Sequence, residues 1–158
     1  MQLFVAEAPG ISPDKLQPRI KETAKRLWLI YFSLTAIETI LLWAGGMTFF
    51  DAINHGLTTM ATGGFSTKNA SAAHFSAYTQ YIMALFMFLA GTNFTMTYFG
   101  SHGQFKKVWN NEEFRFYLGT CVLLTIISAT TIYLVSGEGM EHSFRDGLFQ
   151  VISIITTT

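Results

Sequence analysis

Residues 58 to 67, TTMATGGFST, form a polar, glycine-paired stretch between two long apolar segments. These residue types suit one kind of chemistry that needs no ionisable side chain. Glycine reaches the positive-φ conformations that turn successive carbonyls to one side, and carbonyls lining an aqueous cavity replace the hydration shell of a cation. Irregular backbone at membrane depth is tolerated only where it is buried in protein or lines such a cavity. Gly63-Gly64 after Thr62 meets that need. Taken alone, the glycine pair also fits a tight loop between helices. A phosphate-cradling loop fits less well, because GGFSTK lacks the GxxxxGK[ST] spacing and has no strand before it.

Other residues with chemical capacity are scattered. His55, His74, His102 and His142 have no pair at the i, i+4 spacing of a helical metal site, so a haem or metal enzyme is the weaker reading and ordinary polar or pore-helix histidines the stronger. Cys121 is the single cysteine. It lies in an apolar run, GTCVLLTII, and reads as a small buried hydrophobe. Glu38 is an ionisable residue in a crossing helix, by default a functional hypothesis, but it lies about six residues from the helix end, within reach of snorkelling to the interface. Asn93, after Gly91, is expected either to hydrogen-bond between helices or to steer a lower pore. Trp28, Trp43, Tyr78 and Tyr133 fall where interfacial aromatics anchor a membrane protein.

The elements that position the decapeptide follow from composition. Half of the 158 residues are hydrophobic and 13% are charged, whereas a soluble domain carries about 25%. Membrane is therefore the expected solvent, and a net charge of zero gives no reason to expect nucleic acid. MQLFVAEAPG has no basic region followed by an apolar core, so a cleaved signal peptide is not expected. Leu27 to Ala44 would span about 27 Å as a helix, close to the ~30 Å hydrocarbon core. Gly45 and Gly46 end it. Thr48 to Met60 is helical in pattern but only about 20 Å long, which fits a re-entrant half-helix with Asp51 near its positive end. Tyr78 to Gly100 and Arg115 to Val135 are the second and third expected crossings, and SFRDGLFQVISIITTT is a second short segment. Lys15, Arg19, Lys21, Lys25 and Arg26 precede the first crossing, and Lys106, Lys107 and Arg115 lie between the second and third. The positive-inside rule makes both regions cytoplasmic and leaves Lys68 and Arg145 outside.

An internal repeat ties the short segments together. Sliding the chain by 95 positions lays TFFDAINHGLTTMAT over SFRDGLFQVISIITT, with Phe49 on Phe144, Asp51 on Asp146, Leu57 on Ile152 and Thr62 on Thr157. The unit is helix, short re-entrant helix, threonine-rich turn, helix. The register puts Thr158 opposite Gly63, so the equivalent of Gly64 falls one position later, and the chain is expected to be a fragment.

With FFDAINHGLTTMATGGFST, FLAGTNFTMTYFG and the second copy ending SIITTT, the sequence resembles the Trk/Ktr/HKT superfamily of potassium transporters, most closely the bacterial Trk membrane subunit. The resemblance covers nearly the whole chain. It implies an all-α integral membrane fold of tandem units, each a helix, a pore helix, a filter loop and a helix, four to a polypeptide around one pore. Residues 1–26 would be a cytoplasmic segment leading into the second unit, 27–100 the complete second unit, 101–114 a cytoplasmic loop and 115–158 the third unit up to its filter. The family's filter glycine falls on Gly64, so Ala61, Thr62, Gly63, Gly64 and Phe65 would supply ion-facing backbone. K⁺ would lie at Thr62, Gly63 and Gly64, and Thr156, Thr157 and Thr158 would begin the next filter. Ala61 and Gly63 stand where the third unit has threonines.

The resemblance also implies K⁺ as transported ion with no bound cofactor, a homodimer in the bacterial inner membrane with its filter side external, and a cytoplasmic NAD- or ATP-binding regulatory subunit near SHGQFKKVWNNEEF. It implies no enzyme. The rival expectation is a non-conducting structural or assembly subunit.

Overall fold

The computed structural model describes residues 16–101, 103–137 and 139–158. His102 and the first fifteen residues therefore lie outside the described part. The described residues are helical: α1 Leu16–Ala44, α2 Phe49–Met60, a 3₁₀ turn Ser71–His74, α3 Ala77–Ala90, α4 Phe94–Ser101, α5 Phe105–Trp109, α6 Glu112–Ser136 and α7 Met140–Thr156. Helix starts follow their capping residues. Thr48 accepts from the Asp51 amide, Ser76 from the Thr79 amide and Asn111 from the Phe114 amide, each satisfying one of the orphan donors of a first turn.

Two helices, Lys21–Ala44 within α1 and α6, are long and apolar enough to cross a membrane. Only 17% and 11% of their most apolar windows are buried within the chain, so they are not core helices of a water-soluble domain. Trp28, Ile40, Trp43, Leu123, Ile126 and Leu134 face outward, which suits lipid or further protein. The basic stretch before Leu27 does not form a separate element; α1 is continuous through it.

The core gathers where α1, α2, α3 and α7 meet, around Leu42, Ala52, Met83, Ala84, Met87 and Ile152. α2 folds back on α1, α7 folds back on α6, and α3 lies against both short helices. Small residues permit the close approaches. A Cβ at Gly56 would meet the Thr39 hydroxyl of α1 at 2.5 Å, and one at Gly147 would meet the Ala129 amide nitrogen of α6 at 2.8 Å. Gly56→Leu is accordingly expected to push α2 off α1 and to destabilise the fold by about 1–3 kcal/mol, the usual range for overpacking. Thermal unfolding of the detergent-solubilised protein checks this, and a midpoint equal to wild type would refute the tight crossing.

The expected second crossing, Tyr78–Gly100, is not one helix. It ends at Ala90, turns through Gly91, Thr92 and Asn93, and resumes at Phe94. The interruption carries its own replacements for the lost helical hydrogen bonds, as broken helices in membranes must. The Thr92 hydroxyl donates to the Leu89 carbonyl at 2.6 Å, and the Tyr117 hydroxyl of α6 donates to the Phe88 carbonyl at 3.3 Å. Gly91 is where α6 and α7 press closest, since a Cβ there would meet Thr156 Cγ2 at 2.6 Å and Tyr117 Oη at 2.8 Å. Asn93 is exposed at the break, and its carbonyl accepts from the Met96 amide at 2.8 Å.

Candidate functional site: two paired helix-end loops

α2 ends in a Schellman turn. The Thr62 amide donates to the Thr59 carbonyl at 3.0 Å and the Gly63 amide to the Thr58 carbonyl at 2.7 Å, leaving Thr62 left-handed at φ +50°. α7 ends the same way 95 residues later. The Thr157 amide donates to the Ile154 carbonyl at 3.3 Å, the Thr158 amide donates to the Ser153 carbonyl at 3.0 Å, and Thr157 has φ +60°. Glycine usually takes this position. A β-branched residue there is an outlier costing on the order of 1–3 kcal/mol, and such strain gathers at ligand clamps and active sites. The strain occurs at the same place in both copies.

The two loops converge. Gly64 has φ +66°, and a Cβ there would lie 2.9 Å from the Thr158 carbonyl carbon. A cavity of about 140 Å³ lies between them, lined among others by Thr58, Gly64, Ser66, Ser153 and Thr158. Ala61, Gly63, Gly64 and Phe65 are exposed, Thr62 is half-buried, and Thr156 is buried. Because α2 and α7 both end here, the partial negative charges of two helix C-termini meet at one place, an arrangement that favours a cation.

Beyond Gly64 the chain runs back along α2 and is fastened to it rung by rung. The Thr58 hydroxyl donates to the Phe65 carbonyl at 3.0 Å. His55 Nδ1 lies 2.8 Å from the Asp51 carbonyl and Nε2 3.0 Å from Ser66 Oγ. A carbonyl only accepts, so Nδ1 carries the proton, and in the neutral ring Nε2 accepts from Ser66. Asp51 accepts from the hydroxyls of Thr67 and Thr48 and pairs with Lys68 Nζ at 3.5 Å. The two hydroxyls, Thr67 first, hold its carboxyl below the usual aspartate range, with burial opposing and Lys68 adding to the effect. Residues 51, 55 and 58 share one helical face, so a single face of α2 carries every rung.

His55, expected as a polar or pore-helix residue, belongs to the scaffold of the loop. Its spacing from Asp51 and Thr58 was the signal, one polar face on an otherwise apolar short helix. The other described histidines do not join it. His74 packs edge-on against Phe75, and His142 lies 3.4 Å from Asp146. Cys121 is buried, as expected. Glu38 corrects the snorkelling expectation, since its side chain is fully buried, directed at α2 rather than toward an interface.

Known proteins are similar to this chain in sequence and in fold. The family model described as TrkH, cation transport protein, matches residues 7–157. The Trk system potassium uptake protein TrkH of Salmonella typhimurium is 39% identical over 99% of this chain and 33% of its own length. The TrkH protein of Escherichia coli K12 is 40% identical over the same shares. TrkG of Escherichia coli K12 is 33% identical over 98% of this chain and 33% of its own. The crystal structure of the potassium transporter TrkH from Vibrio parahaemolyticus superposes with a TM-score of 0.82 at 37% identity, covering 94% of this chain and 32% of that one. The chain thus spans about a third of the length of the relatives it matches. With nearly every residue inside the family match, this chain belongs to the TrkH family of cation transport proteins.

Proposed function

We propose that the chain forms part of the wall of a potassium-conducting pore in a longer polypeptide. Ala61, Thr62, Gly63, Gly64 and Phe65 supply backbone to a selectivity filter, and K⁺, largely stripped of water, is held at the carbonyls of Thr62, Gly63 and Gly64. Thr156, Thr157 and Thr158 begin the neighbouring wall. The observation that carries this reading is the pairing of two left-handed threonine turns whose loops meet at Gly64 and Thr158. Two of four similar walls, each behind a helix C-terminus, give the cation the carbonyl cage that replaces its hydration. The names of the relatives, potassium uptake proteins, support the choice of ion.

In this reading residues 27–100 are the complete unit and 115–158 belong to the next, in a multi-pass protein of the bacterial inner membrane whose filter faces outward. The basic first part of α1 and the segment around α5 face the cytoplasm by the positive-inside rule. The exposed Phe105 and Trp109 of α5 would meet a nucleotide-binding regulatory subunit there, and the pore protein is a homodimer.

The test is growth of a host lacking its own potassium uptake, at limiting K⁺, with the full-length gene supplied. Restored growth with K⁺-competed Rb⁺ uptake is expected. A membrane-inserted protein giving neither would leave the assembly-subunit reading in possession.

A further inference from the structure

Glu38 stands apart from everything used so far. It sits six residues from the end of a membrane-crossing helix, yet its side chain is fully buried within this chain alone. The inward stripe of α1 at its level is Thr35, Glu38 and Leu42, at the spacing of one helical face. Among the described residues neither carboxyl oxygen has a hydrogen-bond partner, and the side chain of Thr59, buried on α2, is the polar group close enough to interact with the carboxyl. The basic residues of α1, Arg19, Lys21, Lys25 and Arg26, begin twelve residues away along the sequence, about 18 Å at ~1.5 Å per residue. Lys68 is paired with Asp51 and Arg145 with Glu141.

An ionised carboxylate without a partner at such a place carries a desolvation cost of several kcal/mol. The neutral acid avoids that cost and gains an O–H donor. Thr59 is itself buried. Its carbonyl receives the Thr62 amide, and the next carbonyl back, that of Thr58, receives the Gly63 amide. Whatever seats Thr59 therefore seats the strained turn.

We propose that Glu38 is a positioning residue for the filter: held in its protonated form, it donates to the Thr59 hydroxyl and fixes the last turn of α2, from which Thr62, Gly63 and Gly64 project. The assignment rests on the filter reading above. It differs from a cation-binding role, which needs the carboxylate, and from a packing role, which needs only volume.

The experiment compares Glu38→Gln, Glu38→Ala and Thr59→Val in the full-length protein, purified and reconstituted in liposomes. Two readouts are taken: K⁺ over Na⁺ discrimination in flux, and the infrared carbonyl band of a protonated carboxylic acid. The band is expected at neutral pH in the wild type and absent from Glu38→Gln. The glutamine variant, with the same shape and an N–H donor, is expected to keep discrimination within about threefold of wild type, since each tenfold corresponds to about 1.4 kcal/mol. Glu38→Ala and Thr59→Val are each expected to lose discrimination about tenfold, and the double variant no more than either, as for two groups in one contact. Absence of the acid band overturns the proposal whatever the flux. A glutamine variant as poor as alanine overturns it in favour of a required charge, and an alanine variant that discriminates like wild type overturns it in favour of packing. If Gly64→Ala also leaves discrimination intact, the filter reading falls and takes the role of Glu38 with it; the infrared band would then persist, so the two failures are distinguishable.

Discussion

Alanine at position 64 in the full-length protein is expected to lower K⁺ uptake tenfold or more, or to admit Na⁺ in its place, while the protein still reaches the membrane. Two costs combine. Gly64 is left-handed at φ +66°, a conformation that costs an L-residue about 1–2 kcal/mol. The added methyl would also lie 2.9 Å from the Thr158 carbonyl carbon, and that neighbour is backbone, which cannot swing aside. The loops must separate, and the carbonyls on both move with them. Gly63→Ala makes a graded comparison. It has no positive φ, and its nearest new neighbour is the flexible Phe65 ring at 3.3 Å, so its loss should be the smaller. Radioactive Rb⁺ uptake with Na⁺ competition measures both, and uptake and discrimination in Gly64→Ala equal to wild type would remove residues 61–65 from the ion path.

The second large effect belongs to Asp51. Its carboxylate ties together the start of α2, through Thr48, and the far end of the loop, through Thr67 and Lys68. Asp51→Ala removes all of these together and leaves two hydroxyls and an ammonium without their acceptor. The loop then hangs from the Thr58 and His55 rungs alone, and uptake is expected to fall about tenfold, with faster amide hydrogen exchange over residues 65–68 as the direct sign of release. Exchange unchanged in that segment would show that the rungs do not hold it.

The same network has a pH signature. The folded protein holds Asp51 below its unfolded pKa, ordinarily ~3.9. The stability it contributes is therefore fully present above that value and is lost only as pH falls through the lower folded value. Through external pH 5–8, titration of Asp51 should leave the loop undisturbed.

Much of this architecture was legible in the sequence. The Gly45-Gly46 stop, the helical pattern of Thr48 to Met60 and the 95-residue register marked α2 and α7, because glycine stops, periodicity and repeats are written in the chain itself. The break at Gly91–Asn93 was not legible. Gly, Thr and Asn inside an apolar run of crossing length are compatible with a tilted continuous helix, and what decides against it is the close approach of Thr156 and Tyr117, from segments distant in sequence. Glu38 misled for a related reason. Its height along α1 could be counted, but not the direction in which its side chain points, and only the packing of α2 against that face shows it to be internal. The rungs from α2 to residues 65–68 needed the chain reversal at Gly64, which no periodicity encodes.

The broken crossing has a mechanical consequence. An unbroken helix is a stiff rod that carries a push at one end to the other. Severed between Ala90 and Phe94, this one cannot, and the two pieces share α1 but differ in their other supports: α3 wedges against α2 and α7, whereas α4 leads into α5, which meets α6. A load applied at α4 or α5 therefore reaches the wedge beneath the two loops through the turn at Gly91–Asn93 or by way of the long helices, instead of running straight up one rod. The interruption works as a joint between the part of the molecule that holds the two loops and the part that carries α4 and α5.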